Sequence, residues 1–332
     1  MKLYFEYIAY LLIRNVLKLF SFNATSSIGG FLLKNLGKYS KYKDIISSNV
    51  SLLKLNTSRI TNENLDQTGR VFFEFFNLNK FNWDNVIVKN EKYLKLLRCY
   101  RGSKIFISAH IGNWEITRNF LLNEGFVLHS VYRQANNKMI DNYIQKNRER
   151  ENAFFYMKGS DSAKNMIKVL KNDGDLALLV DQRDSSGTLI NFFNKKAYAS
   201  EGFANLALKY QTMICPVYSI RNKDGSFQLI FEKPLEFNEY QNLTPKDLVQ
   251  KVYASEGFAN LALKYKTMIC PIYSIRNKDG SFKLIFDKPL EFNKFQSLTP
   301  KDLVQKVYLE YFESWINKNP EQWLWSHERW KI

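Results

Sequence analysis

Cysteine and histidine are scarce in this chain, with three of each in 332 residues. Cys99 stands alone, and Cys215 and Cys270 occupy equivalent places in an internal repeat, so all three read as reduced, cytosol-side thiols. There is no CxxC pair, and three scattered histidines do not make an ordinary zinc site. No metal and no cofactor is expected. The first residues lack the small-residue cleavage site of a signal peptide. No GxSxG elbow marks a serine hydrolase, although Ser108 lies just ahead of a histidine.

Acidic charge is also in short supply. Against 48 Lys+Arg there are 32 Asp+Glu, for a net charge of +16. Such an excess attracts anionic partners: nucleic acid, an acidic protein or a phospholipid surface. A composition of 45% hydrophobic and 24% charged residues is that of a folded chain with a sizeable core.

The segment MKLYFEYIAYLLIRNVLKLF is rich in Leu, Ile, Tyr and Phe but broken by Glu6, Arg14 and Lys18. At about 1.5 Å per residue it is nominally long enough to reach across a hydrocarbon layer. The charges argue instead for an interfacial or shallowly inserted membrane anchor over residues 1–22, with a buried core helix as the alternative.

The strongest internal signal is a repeat. Tyr198 to Val252 returns as Tyr253 to Val307, with seven positions changed, among them Gln211/Lys266, Val217/Ile272, Glu239/Lys294 and Tyr240/Phe295. Solenoids usually need three or more repeats, so this reads as a tandem duplication inside one domain spanning residues 23–332. Each copy contains a helical piece (SEGFANLALKY), a β-rich piece (TMICPVYSI), an Asn-Lys-Asp-Gly turn and a second β-rich piece (SFQLIF). Thr244-Pro245-Lys246-Asp247 then opens a helix with Thr as its cap. In the second copy the equivalent helix starts at Thr299 and carries Leu303, Val307, Tyr311 and Trp315 at helical spacing. In the first copy it either fuses with the next helical piece or breaks at Gly257. The order of the residues leaves open which copy completes a sheet.

Ahead of the repeat, KIFISAH, FVLHSVYR and DLALLVDQ read as strands, and MIDNYIQKNRE and DSAKNMIKVLKND as helices. That alternation predicts an α/β fold, with a central, mostly parallel sheet flanked by helices. Sites in such folds sit where strands end at their carboxyl termini. His110 is at one such end, in ISAHIGNWE. Gly112 permits a tight turn, Asn113 is a natural N-cap, and Glu115 falls in the first helical turn. From there the Glu115 carboxylate is expected to hold one imidazole nitrogen while the other acts as general base on a substrate hydroxyl. The competing reading is a histidine satisfied by a backbone carbonyl and a glutamate that merely favours the helix dipole.

His followed by four residues and an acid, in the form AHIGNWE, resembles the signature of the glycerolipid acyltransferase superfamily, and within it the lipid A late (lauroyl and myristoyl) acyltransferases. The resemblance extends to the N-terminal hydrophobic segment, VYRQANN, Arg148, LALLVDQR, NFFNKKAYASEGFANLAL and the ending PEQWLWSHERW with Trp325, His327 and Arg329. It implies transfer of a fatty acyl chain from acyl carrier protein to a hydroxyl of a lipid A precursor, at the cytoplasmic face of the bacterial inner membrane. Acyl carrier protein, the phosphorylated glycolipid and anionic membrane lipids would all answer the excess of Lys and Arg.

Arg133, Arg148 and Arg183 are then candidates for substrate binding, with Asp181 orienting an arginine. Solvated charge or structural ion pairing stays open for them. His129, inside a strand, reads as structural, and the Trp-rich tail reads either as core or as a cover for the site. Acylation of another glycolipid or of a lysophospholipid is a near alternative. A catalytically silent remnant of the duplication is another. Nucleic-acid binding fits the charge and the Tyr and Phe content, but no binding motif supports it and the apolar N-terminus would have no purpose; no nucleic-acid partner is expected.

Overall fold

The computed structural model describes residues 2–52, 56–192, 195–253, 272–276 and 282–286. Four helices come first: α1 (Lys2–Leu17), α2 (Phe22–Leu36), α3 (Lys41–Leu52) and α4 (Thr57–Glu74). Strands and helices then alternate, as β1 (Val86–Lys89), α5 (Glu91–Cys99), β2 (Lys104–Ser108), α6 (Trp114–Asn123), β3 (Leu128–Tyr132), α7 (Lys138–Arg148), β4 (Ala153–Met157), α8 (Ser160–Lys171) and β5 (Asp175–Leu179). The remainder is β6 (Thr188–Phe192), β7 (Lys195–Ala199), α9 (Gly202–Tyr210), β8 (Met213–Arg221), β9 (Phe227–Phe231), α10 (Pro245–Tyr253), β10 (Ile272–Arg276) and β11 (Phe282–Phe286).

Seven strands make the central sheet in the order β1-β9-β8-β2-β5-β3-β4. Every neighbouring pair is parallel except β8 with β9. This is the α/β architecture expected from the alternating pattern. The central strand β2 shows why it holds. Ile105 and Ile107 are buried among α8, α9 and α10 side chains, including Val169, Phe203 and Leu248, while Phe106 is buried on the other side with Leu97, Phe120 and Leu121. A strand covered on both faces reads as a continuous apolar run, as KIFIS does.

Of the N-terminal helices, α2 and α3 pack against α4. The Ser21 side chain caps α2 and that of Asn56 caps α4. α2 and α4 meet at Gly29 and Gly69, where a Cβ on either would stand 2.4 Å or less from the other's carbonyl oxygen. α1 folds back on the body: Asn77 Nδ2 donates to Leu17 O at 2.7 Å, Asn137 Nδ2 to Leu3 O at 2.7 Å, and Arg14 Nε to the Tyr143 hydroxyl at 2.5 Å. Its inner face, Tyr7, Tyr10, Leu11, Arg14 and Leu17, is wholly or partly buried. Its outer face leaves Tyr4, Phe5, Ile8, Leu12, Ile13 and Val16 exposed. At 16 residues α1 ends short of the expected residue 22, and no helix among the described residues is long and apolar enough to cross a membrane.

The first copy of the repeat supplies β8 and β9, which complete the sheet. The second copy's β10 and β11 pair with each other in a two-stranded sheet, in the register of the first copy: Val217↔Phe231 and Arg221↔Phe227 become Ile272↔Phe286 and Arg276↔Phe282. The Thr244 cap forms as expected, its Oγ1 accepting from Asp247 N at 3.2 Å. Gly257, Cys270, the helix expected from Thr299 and the tail with Trp325, His327 and Arg329 lie outside the described residues.

Candidate active site

β2 and β5 run side by side in parallel, with Ser108 paired to Leu179. His110 lies two residues beyond Ser108 and Asp181 two beyond Leu179, so equal steps past level strand ends bring them together. His110 Nδ1 lies 2.7 Å from Asp181 Oδ1, and the His110 amide donates to Asp181 Oδ2 at 2.9 Å. Val180 N donating to Ser108 O at 3.0 Å carries the parallel pairing up to the site. An ionised carboxylate only accepts, so the Nδ1 proton belongs to His110, and in the neutral ring that tautomer leaves the lone pair on Nε2. The Trp114 ring meets the imidazole edge-on at 4.8 Å between centroids, and Gln182 Nε2 lies 3.4 Å from His110 Nε2.

The turn after His110 is tightly made. Gly112 has φ +58, and a Cβ there would come within 2.1 Å of Ser219 O, so only glycine fits. Asn113 caps α6, its side chain accepting from the amides of Glu115 and Ile116.

Glu115 does not partner His110, contrary to the expectation from spacing. It lies in the first turn of α6 on the buried side, where Arg118, one turn on, shares its face. Arg118 Nη2 is 2.9 Å from Glu115 Oε2, and Arg148, the last residue of α7, hydrogen-bonds Glu115 Oε1. Burial by itself would raise the Glu115 carboxyl pKa, but the two guanidinium groups outweigh it and hold it below the usual value. Both guanidinium groups also lie over the Phe155 ring, at 4.9 and 5.5 Å. Two cations share one carboxylate, and the buried Arg118 Nη1 and Arg148 Nε make no hydrogen bond among the described residues.

The other candidates separate. Asp181, expected to orient an arginine, holds His110. Arg148 takes the ion pair with Glu115. Arg133 is exposed just beyond β3, and Arg183 is partly buried with its guanidinium 6.0 Å from the Tyr198 ring. His129 stacks on Phe154 at 4.6 Å and bonds the Tyr156 hydroxyl at 2.9 Å, the structural place its strand position indicated. Burial lowers its pKa. Arg118 was missed because nothing in its spacing singles it out from the other basic residues.

The sequence matches the family model described as bacterial lipid A biosynthesis acyltransferase over residues 4–251 and again over residues 248–332. The chain belongs to this family. The two matched stretches overlap inside α10, next to the point where the repeat begins again. No curated protein sequence gives a significant match. Membership makes acyl transfer in lipid A biosynthesis the activity to be explained. It also gives the His110–Asp181 pair a chemical context, in a family whose chemistry moves acyl groups.

Proposed function

We propose that the chain transfers a fatty acyl group from an acyl carrier protein thioester to a hydroxyl of a lipid A precursor, while docked on the cytoplasmic face of the bacterial inner membrane. The observation that carries this reading is the His110–Asp181 pair, with Nδ1 2.7 Å from the carboxylate. His110 Nε2 takes the proton from the acceptor hydroxyl as its oxygen attacks the thioester carbonyl, and Asp181 stabilises the imidazolium that forms. Collapse of the tetrahedral oxyanion expels the carrier thiolate, which leaves with the proton from Nε2. The ester is formed and the base regenerated.

Glu115 acts through the arginines: it gathers Arg118 and Arg148 into a buried group with one surplus positive charge. That surplus supports an anionic part of the lipid precursor, with Arg133 and Arg183 as more peripheral contacts. The outer face of α1, with Phe5, Ile8, Leu12 and Val16 exposed, supports docking in the plane of an anionic bilayer surface. The net charge of +16 supports both that surface and the acidic carrier protein.

Mass spectrometry of lipid A from a bacterial strain lacking late acyltransferases, expressing this chain, tests the reading. A new mass increment of one acyl chain is expected. An unchanged lipid A beside a new acylated glycolipid or phospholipid would move the acceptor assignment elsewhere.

A further inference from the structure

Beneath the His110 turn lies a polar cluster to which acyl transfer gives no direct part. Glu74, the last residue of α4, is fully buried. Its carboxylate receives Asn113 Nδ2 at 2.7 Å and forms an ion pair with Arg221, at the end of β8. Arg221 is held further by Gln67 Oε1 at 3.3 Å and lies 4.5 Å over the Phe227 ring. Ser219, two residues before Arg221 on the same strand, grips Asn113 twice: its Oγ accepts from Asn113 N at 3.1 Å and donates to Asn113 O at 2.8 Å. Its own carbonyl is the wall against which Gly112 turns.

We propose that Glu74, Arg221 and Ser219 are positioning residues for the base, fixing the far end of the turn whose near end Asp181 holds at His110. The turn from His110 to Asn113 spans only Ile111 and Gly112. With Asn113 clamped through its side chain, its N–H and its C=O, little freedom remains for the imidazole. A buried carboxylate is retained only where its charge is offset: Arg221 pairs with Glu74, and Arg221 and Asn113 both donate to its Oε2. The inference rests on His110 serving as the base. It also assigns the first copy of the repeat a direct share in the site, because Ser219 and Arg221 both belong to it.

The repeat furnishes an internal control. Ser274 and Arg276 stand in the second copy where Ser219 and Arg221 stand in the first. The experiment compares Ser219→Ala, Arg221→Gln, Arg221→Lys and Glu74→Gln with Ser274→Ala and Arg276→Gln in the full chain. Activity is taken per folded molecule, well below each variant's Tm. Ångström-scale misplacement of a base costs on the order of tenfold to a hundredfold in rate. The expected result is a kcat loss of that size with KM little changed for Ser219→Ala, Arg221→Gln and Glu74→Gln, partial recovery in Arg221→Lys, and wild-type kcat for both second-copy variants.

The ring nitrogens of His110, read by NMR of 15N-histidine-labelled protein with three histidines to assign, should shift in the first-copy variants and not in the second. Ser219→Ala removes a single hydroxyl and keeps the test readable if the Glu74 and Arg221 variants fail to fold. Losses confined to Tm, with kcat and the His110 resonances unchanged, would overturn the positioning role. Equal effects of the Ser219 and Ser274 variants would overturn the assignment to the first copy. A wild-type chain that shows the NMR coupling but transfers no acyl group would refute the catalytic reading and leave the positioning of His110 standing.

Discussion

His110 and Asp181 stand at matching steps beyond the paired ends of β2 and β5, with Nδ1 and Oδ1 2.7 Å apart. The acid held against His110 therefore comes from a neighbouring strand, 71 residues away in sequence, rather than from the helix that follows it. Glu115, five residues after His110, is given over to Arg118 and Arg148.

That division predicts acid behaviour. The folded pKa of Glu115 lies below its unfolded value of about 4.3. Its stabilising contribution is therefore complete above the unfolded value and is lost as pH falls through the folded one. In urea titrations, Glu115→Gln should be less stable than wild type by a constant margin from neutrality down to about pH 5, and the margin should shrink below about pH 4. A margin unchanged at pH 3 would mean that the ion pairs contribute nothing.

The residues that differ between the repeat copies predict which copy suits the sheet. The buried Tyr240 hydroxyl donates to Thr212 O in the first copy, and the second copy has Phe295 in its place. Tyr240→Phe should cost about 1 kcal/mol in chemical denaturation, whereas Glu239→Lys, which removes a partly exposed pair with Lys233, should cost less than about 1 kcal/mol. A neutral Tyr240→Phe would show that the hydroxyl does not favour the first copy.

Much of the sheet was legible because apolar runs such as KIFIS and DLALL are bounded by residues that end strands. The His110 turn was legible because Gly112 and Asn113 have strong local preferences. The partner of His110 was not, since it depends on which strand lies beside β2, and strand order is a tertiary choice that no local spacing encodes. Arg118 and Glu74 escaped notice for the same reason: a buried charge looks like a surface charge until its partners are placed. Of the four N-terminal helices only α1 was read, and its two apolar faces separate once one of them is docked.

Because the first copy fills the sheet, deleting residues 253–307 should leave a 277-residue chain (332 − 55) that joins Val252 to Tyr308 and keeps wild-type activity and Tm. Thermal melting and acyl transfer of the two chains side by side check this. Loss of either in the shorter chain would show that the second copy is built into the fold.

The outer face of α1 predicts lipid binding separable from folding. Changing Phe5, Ile8, Leu12 and Val16 to Ser should weaken flotation with phosphatidylglycerol vesicles, most at high salt, where screening removes the contribution of the basic residues. Leu3, Arg14 and Leu17 are left intact because they tie α1 to the body. Flotation equal to wild type at all salt concentrations would contradict the docking role.

The most direct measurement is the acyl-transfer kcat of His110→Ala, Asp181→Asn and the double variant, with purified acyl carrier protein thioester and lipid A precursor. Each single change should lower kcat by about 10² to 10⁴, and the double variant should fall little further, since base and orienting acid act as one unit. Wild-type kcat in Asp181→Asn, or losses that multiply in the double variant, would contradict the His110–Asp181 pair as the catalytic centre.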